Sequence, residues 1–193
     1  FFLLTGMPGQ IKTGFFWGII IGFGIAFLCS AFLLKGLIKN IIATITEVLR
    51  QFKEIPYLYE GKARPDVIKA LNLILMNLMN SLVIPAIVAV GIPILVGYFF
   101  SFEVLLGVVI GVFSVGLIKG FCWTNIGEVL SNTRYYIEAG NLGGKEAPTF
   151  KHILLANNFG SAFRDMLAPS MNMLVKAGGI IAIFVIIIKR INN

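Results

Sequence analysis

The sequence predicts an all-α fold, that of a polytopic membrane protein with four transmembrane helices, and three observations support it. Hydrophobic residues make up 58% of the 193 residues and charged residues 13%, a composition too apolar for a soluble domain of this length. Four apolar stretches are long enough to cross a hydrocarbon core of about 30 Å, and they cover about 15–34, 71–100, 104–123 and 153–188. Most Lys and Arg residues lie in the two long connections between these stretches.

Each helix is predicted to be longer than its apolar stretch. After Lys35, apolar residues recur at intervals of three and four up to Phe52, which indicates an amphipathic continuation of the first helix. The third helix is expected to continue to about Glu138, just before Gly140. The predicted helices form a single transmembrane domain with cytoplasmic helical extensions, and they cover about 15–52, 67–100, 104–139 and 151–189.

The basic residues predict the orientation in the lipid bilayer. They are dense in the connection over 35–69, present in that over 134–151, and absent from the short turn at Ser101. The positive-inside rule therefore places both long connections in the cytoplasm, with the N-terminus, this turn and the C-terminus outside. Lys189 and Arg190 argue weakly against this orientation. Because most Lys and Arg residues lie in these connections, where they determine topology, the net charge of +7 predicts no nucleic-acid partner.

Polar residues follow one face of the predicted fourth helix. Their spacings of three, four, seven and four residues align Asn158, Ser161, Asp165, Asn172 and Lys176. Helix–helix hydrogen bonding would explain Asn158 and Ser161 as well as a site does. An ionisable group in hydrocarbon costs roughly 2.5 kcal/mol or more, however, so Lys176 requires a carboxylate or water. No carboxylate of this chain lies at a matching depth, so we expect the partner on another helix. Since the first residue is Phe1 and not Met, we also expect the sequence to be a piece of a longer protein.

A second polar group follows the third apolar stretch. It comprises Asn125, Glu128, Ser131, Asn132, Arg134, Tyr135 and Glu138. An ordinary solvated helix end explains this group as well as a site does. His152 has no neighbour at metal-ligand spacing and is predicted to be an interfacial residue. Cys29 and Cys122 lie within predicted spans and indicate no disulfide.

A series of short motifs runs through most of the chain in a fixed order. Its members are Glu47-Val48-Leu49-Arg50-Gln51-Phe52, Ile55-Pro56, Glu60-Gly61-Lys62-Ala63-Arg64-Pro65-Asp66, Tyr136-Ile137-Glu138, Gly143-Gly144-Lys145, Pro169, Asn172 and Lys176. This series resembles the late part of the membrane-bound, ion-pumping pyrophosphatases, whose patterns there are similar to E-V-R-R-Q-F, I-P and E-G-x-A-K-P-D. The resemblance covers roughly 15–176. It implies the last four helices of a sixteen-helix bundle, with the remaining helices in a longer chain that forms a homodimer.

The resemblance also implies an activity, the hydrolysis of inorganic pyrophosphate with Mg²⁺, coupled to export of H⁺ or Na⁺. Such a site needs carboxylates, because a hard dication takes oxygen ligands. Two family segments supply them, and this chain departs from both. Against D-N-A-K-K-Y-I-E it has Ser131 in place of an aspartate. Against G-D-T-V-G-D-P-x-K-D it has Asn157 and Ser161 in place of two more.

The resemblance assigns roles to the residues that remain. Asp165 would be a metal ligand and, with Asn132, a catalytic residue; Arg134 and Arg164 would contact the substrate; Asn172 and Lys176 would line the ion gate. Because Arg134, Arg164 and Asp165 together carry net positive charge, we expect them to attract an anion but to hold Mg²⁺ poorly. Two hypotheses therefore stay open. One is the C-terminal part of an ion-translocating diphosphatase with impaired catalysis, and the other an inactive relative that serves as a membrane scaffold, an anion binder or an ion-conducting subunit.

Overall fold

A computed structural model of the chain describes residues 13–191 and consists of four long helices. Helix α1 spans Thr13–Glu54, α2 Val67–Phe99, α3 Phe102–Glu138 and α4 Pro148–Ile191. A short 3₁₀ segment, Asn141–Glu146, precedes α4, and Phe163–Leu167 form a π turn within it. Residues 13–191 contain no β-strand. All four helices are long and apolar enough to cross a membrane, so the predicted all-α, polytopic membrane fold is confirmed.

The helices extend well beyond a bilayer. At about 1.5 Å per residue, the 42 residues of α1 measure about 63 Å and the 37 residues of α3 about 55 Å. A hydrocarbon core is only about 30 Å thick. Residues 35–54 of α1, the α1 extension, and the last four turns of α3 therefore project from the same end of the bundle, as the periodicity predicts.

The four helices pack as a ring in which α1 contacts α2 and α3, and α4 contacts the same two helices. The main apolar core lies in the middle of this ring and includes Leu33, Trp123, Leu167 and Met171. A smaller core near the Ser101 turn includes Leu105 and Val108. The side chains in these cores hold α3 and α4 next to each other along most of their length.

Glycines bring α1 and α3 into backbone contact. Gly18 and Gly22 of α1 face Gly107 and Gly111 of α3, and a Cβ atom at Gly22 would lie 3.0 Å from the Cα atom of Gly111. Small residues at four-residue spacing allow such approaches between membrane helices. The position of α3, and with it one wall of the candidate site, depends on this contact.

The α1 extension is tied to the start of α2 by Gln51. Its side-chain amide donates to the carbonyl oxygen of Asp66 and accepts from the N–H of the same residue, both at 2.9 Å. Asp66 in turn caps α2 by accepting from the N–H of Lys69. Glu47 lies in the α1 extension and accepts from Arg50 and Gln51, and these hydrogen bonds, with that from Arg50 the larger cause, lower the pKa of Glu47 to about 2.

Candidate functional site

Two glycines allow α3 and α4 to meet where the polar residues of both helices lie. A Cβ atom at Gly127 would lie 2.5 Å from Cβ of Arg164 and 2.7 Å from the carbonyl oxygen of Gly160. Gly160, on α4, packs against the Cα atom of Gly127 in return. The aliphatic stem of Arg164 therefore lies directly on the α3 backbone, and its guanidinium group reaches the side chains of the neighbouring turn.

Two positions at which the resemblance leads us to expect aspartate form a neutral hydrogen bond here. The Ser131 hydroxyl of α3 donates to Oδ1 of Asn157 of α4 at 2.9 Å. Both side chains are buried, with 7% and 5% of their surface exposed. Because each group satisfies the other, the pair is stable in an interior position without any counter-charge.

Arg164 joins this pair to two carboxylates. Its Nη1 atom donates to Ser131 Oγ at 3.1 Å and to Oε1 of Glu128 at 3.3 Å. Its Nε and Nη2 atoms donate to the two carboxylate oxygens of Asp165 at 2.8 and 3.3 Å. All three guanidinium nitrogens are thus hydrogen-bonded within the chain. We call Glu128, Ser131, Asn157, Arg164 and Asp165 the α3–α4 polar cluster.

Arg134 belongs to a separate group nearer the end of α3. Its Nη2 atom lies 3.4 Å from Oε2 of Glu138, and Nζ of Lys145 lies 2.7 Å from the other oxygen of this carboxylate. The hydrogen bond from Lys145 and the charges of both basic residues hold the pKa of Glu138 below its ordinary value. The Nε atom of Arg134 is buried and has no hydrogen-bond partner within residues 13–191.

Arg134, Arg164 and Asp165 were expected to give the site a net positive charge. Two carboxylates to which the sequence analysis assigned no role offset that charge. Glu128 lies against Arg164, and Glu138 lies against Arg134. With Asp165 and Lys145, the two groups contain three basic and three acidic side chains: Arg134, Lys145, Arg164, Glu128, Glu138 and Asp165. The site as the structure describes it is therefore close to neutral and not cationic.

The polar face of α4 is largely exposed in the part of the chain that the structure describes. Asn158, Asp165, Asn172 and Lys176 are exposed, and Ser161 is half-buried. Asn132 of α3 is exposed as well. Next to this face, a groove of about 530 Å³ runs between α3 and α4; Arg164, Pro169 and Asn172 line it from α4, and Gly116, Gly120, Thr124 and Asn125 line it from α3.

These residues do not fit a magnesium ion. Mg²⁺ requires octahedral oxygen ligands at about 2.0–2.1 Å. Within residues 13–191, no group of three or more Asp, Glu, His or Cys side chains could hold a metal ion. The oxygens of Ser131 and Asn157 are already hydrogen-bonded, and the Asp165 carboxylate is bound by the Arg164 guanidinium. The donor set is that of a guanidinium site.

Sequence reasoning missed three features of the site. Glu128 was noted only as part of a polar group, because its partner Arg164 is 36 residues away. The pairing of Gly127 with Gly160 gives no local pattern. The π turn, in which the N–H of Ala168 donates to the carbonyl of Phe163, is likewise invisible to a period of 3.6 residues. Such turns are frequent at functional sites, and this one contains both Arg164 and Asp165.

The fold and this site define a polytopic helical membrane protein with a polar cluster at one end of its transmembrane bundle. Residues 10–186 match the family described as inorganic H⁺ pyrophosphatase. The chain belongs to this family, and the resemblance drawn from its motifs is confirmed.

Curated relatives match most of the chain. It is 31% identical over 166 residues to a K(+)-insensitive pyrophosphate-energized proton pump of Methanosarcina mazei. That match covers 86% of this chain and 25% of the relative. The corresponding proton pump of Caldanaerobacter subterraneus is 34% identical over 166 residues, 86% of this chain and 23% of the relative. A K(+)-stimulated pyrophosphate-energized sodium pump of Thermotoga maritima is 29% identical over 175 residues. That match covers 90% of this chain and 24% of the relative. The chain thus spans about a quarter of the length of these relatives.

Proposed function

We propose that this chain forms four helices of a membrane-bound diphosphatase that couples the hydrolysis of inorganic pyrophosphate to the transport of H⁺ or Na⁺, and that catalysis in this protein is impaired. Family membership and relatives named as pyrophosphate-energised pumps support the first part. Relatives of both ion types match at similar identity, so the ion is left open. The α3–α4 polar cluster is the observation that carries the second part.

The impairment would follow from charge. A diphosphate ion in complex with metals needs acidic side chains to hold the metals. At positions 131, 157 and 161 this chain has hydroxyls and an amide, which are weaker ligands than the aspartates of the family motifs. Its remaining aspartate, Asp165, is bound by Arg164. Substrate would therefore be held by fewer acidic groups than in the relatives.

Among the two arginines proposed to contact the substrate, Arg134 is the better placed. Its buried Nε–H group has no acceptor within residues 13–191, and an unsatisfied buried donor is costly. A phosphate oxygen would satisfy it. Arg164, by contrast, would have to give up hydrogen bonds to Asp165, Glu128 or Ser131 before it could bind an anion. Asp165 and Asn132 are exposed and, as the proposed catalytic pair, would face the rest of the protein.

The proposed ion gate, Asn172 and Lys176, also requires the rest of the protein. Both side chains are exposed on α4, within its apolar half. A charged ammonium group there needs a carboxylate or water. We propose that further helices of a longer chain, in a sixteen-helix bundle that dimerises, cover this face and supply that partner.

The proposed orientation keeps both long connections in the cytoplasm. Lys189 and Arg190 argue weakly against it, and the contacts of Lys189 weaken that argument further. Its Nζ atom donates to the carbonyl oxygens of Gly97 and Phe100, each at 3.0 Å. A cation that caps the carbonyl end of a neighbouring helix is favourable on either side of a membrane, so Lys189 has a structural reason to lie outside.

The alternative is a relative without hydrolytic activity that serves as a scaffold, an anion-binding protein or an ion-conducting subunit. The hydrogen bonds of Arg164 to Glu128 and Ser131 favour it, because they form a structural contact between α3 and α4.

Reconstitution of the complete protein in vesicles tests the proposal. With Mg²⁺ outside, added pyrophosphate should release phosphate slowly and drive measurable uptake of H⁺ or Na⁺. The Arg134→Met variant should raise the KM for pyrophosphate. Phosphate release and ion uptake both at the level of protein-free vesicles, with folded protein, would support the alternative instead.

A further inference from the structure

The guanidinium group of Arg164 lies where two helices bring oxygen atoms together. Four of its contacts are within 3.3 Å, and they involve two residues of α3 and the neighbouring Asp165 of α4. Its side chain is only 27% exposed. It carries a fixed positive charge, because guanidinium does not lose its proton in proteins. This charge is available at every pH and in the absence of any metal.

The oxygens around Arg164 accept hydrogen bonds from neighbouring groups, and this arrangement does not suit a divalent cation. Ser131 donates its own hydrogen to Asn157 and accepts from Arg164, so its hydroxyl is used in both directions. The Asn157 oxygen points at a hydroxyl hydrogen. The contact of Gly127 with the Arg164 stem fixes the guanidinium in this place. A metal ion at the same point would have to displace a side chain that is packed on backbone.

We propose that Arg164 is the resident cation of the α3–α4 contact, so that Glu128 and Asp165 are neutralised by a guanidinium and the contact forms without a divalent metal. This inference deepens the proposed function and rests on it in one respect, the expectation that relatives bind a metal at this contact. It assigns a structural role to Glu128, which the family motifs do not include. It also explains how the chain can have lost aspartates at positions 131 and 157 and still hold α3 against α4.

Thermal unfolding of the complete protein, in EDTA and in Mg²⁺ without pyrophosphate, tests this inference. Arg164→Met removes the resident cation and leaves two carboxylates without one. We expect a lower Tm in EDTA than for the wild type and a larger rise in Tm on addition of Mg²⁺. Arg134→Met is the matched control, because it also removes an arginine that is paired with a carboxylate, and its Mg²⁺ response should equal that of the wild type.

Two results would overturn the inference. One is an equal Mg²⁺ response in the wild type and in Arg164→Met. The other is an equally enlarged response in both arginine variants, which would show a general charge effect.

If Arg164→Met does not fold, a double variant that adds two carboxylates at the α3–α4 contact tests the inference instead. Ser131→Asp with Asn157→Asp places two carboxylates within hydrogen-bond distance of each other. Arg164 is already paired with Glu128 and Asp165, so the added pair needs a further counter-charge. We expect Mg²⁺ to raise the Tm of this double variant more than that of the wild type. Asn158→Asp adds a carboxylate on the exposed side of the same turn and should respond as the wild type does. A double variant that responds no more than Asn158→Asp contradicts the proposal.

Phosphate release by the wild-type protein of the same preparation separates the two proposals. Tm values that follow the prediction in a protein without any hydrolysis would remove the proposed function and leave the role of Arg164 in place. Tm values that fail while pyrophosphate is hydrolysed would do the reverse.

Discussion

Replacing Gly22 by Ala should destabilise the protein, because this glycine allows α1 and α3 to touch. A Cβ atom at Gly22 would lie 3.0 Å from the Cα atom of Gly111 and 3.0 Å from the nitrogen of Val112. It would lie closer still to the carbonyl oxygen of Val108. Carbon atoms pack best at about 3.5–4.0 Å, so the helices would have to separate by about 0.5–1 Å. Overpacking of this kind costs about 1–3 kcal/mol.

Gly24 provides the control for this prediction. It lies two residues further along α1, and a Cβ atom there has no neighbour within 4 Å in the part of the chain that the structure describes. Alanine improves helix propensity by about 0.5–1 kcal/mol at both positions, so that gain cancels in the comparison. Gly22→Ala should therefore be about 1–3 kcal/mol less stable than Gly24→Ala in reversible unfolding of the complete protein from lipid–detergent micelles. Equal stability of the two variants would refute the reasoning that backbone contact holds α3 in place.

Three further predictions concern hydrogen bonds. Gln51→Leu should cost about 1–3 kcal/mol of unfolding free energy, since the N–H and carbonyl groups of Asp66 lose their partner. Asn157→Leu should cost a similar amount, about 1–3 kcal/mol, because the buried Ser131 hydroxyl then has no acceptor. Glu47 should add a pH dependence: its pKa is lowered from 4.5 to about 2, so its stabilisation is complete above about pH 4.5 and is lost as the pH falls toward 2. Unfolding measured against pH should show a shallower slope in that range for Glu47→Gln.

Each of these predictions has a control or a result that contradicts it. Thr46→Ala removes an exposed hydroxyl that bonds only within α1, and a loss as large as that of Gln51→Leu would contradict the role of the amide. Asn158→Leu changes an exposed neighbour, and it should cost less than Asn157→Leu. For Glu47, the same slope between pH 4.5 and 2 in wild type and variant would mean that the carboxylate contributes nothing.

The helices could be predicted from the sequence because their signal is local. Hydropathy locates the spans over 15–34, 71–100, 104–123 and 153–188, and a bilayer permits little besides helix there. The apolar residues from Lys35 to Phe52 recur with helical period, and α1 continues as one helix to Glu54. The motifs also sufficed to identify the family, since their order and spacing are sequence properties.

The site could be predicted only in part, because its geometry depends on contacts between distant residues. The polar face of α4 follows from spacing, and Asn158, Asp165, Asn172 and Lys176 are indeed exposed together. The partner of Arg164 does not follow from spacing. The helix crossing at Gly127 decides which carboxylate of α3 the guanidinium reaches. That contact, with the pairing of Glu138 and Arg134, makes the site close to neutral instead of cationic.

The rate of Mg²⁺-dependent phosphate release tests the central claim most directly. The complete protein and the Methanosarcina mazei proton pump would be assayed in parallel, in the same vesicles and at saturating pyrophosphate. Loss of groups that merely orient metal ligands typically costs about 10–100-fold in metal affinity or activity, and direct ligands matter at least as much, so we expect this protein to be slower by about tenfold or more. Equal rates per folded molecule would contradict the claim that Ser131, Asn157 and Ser161 weaken the site.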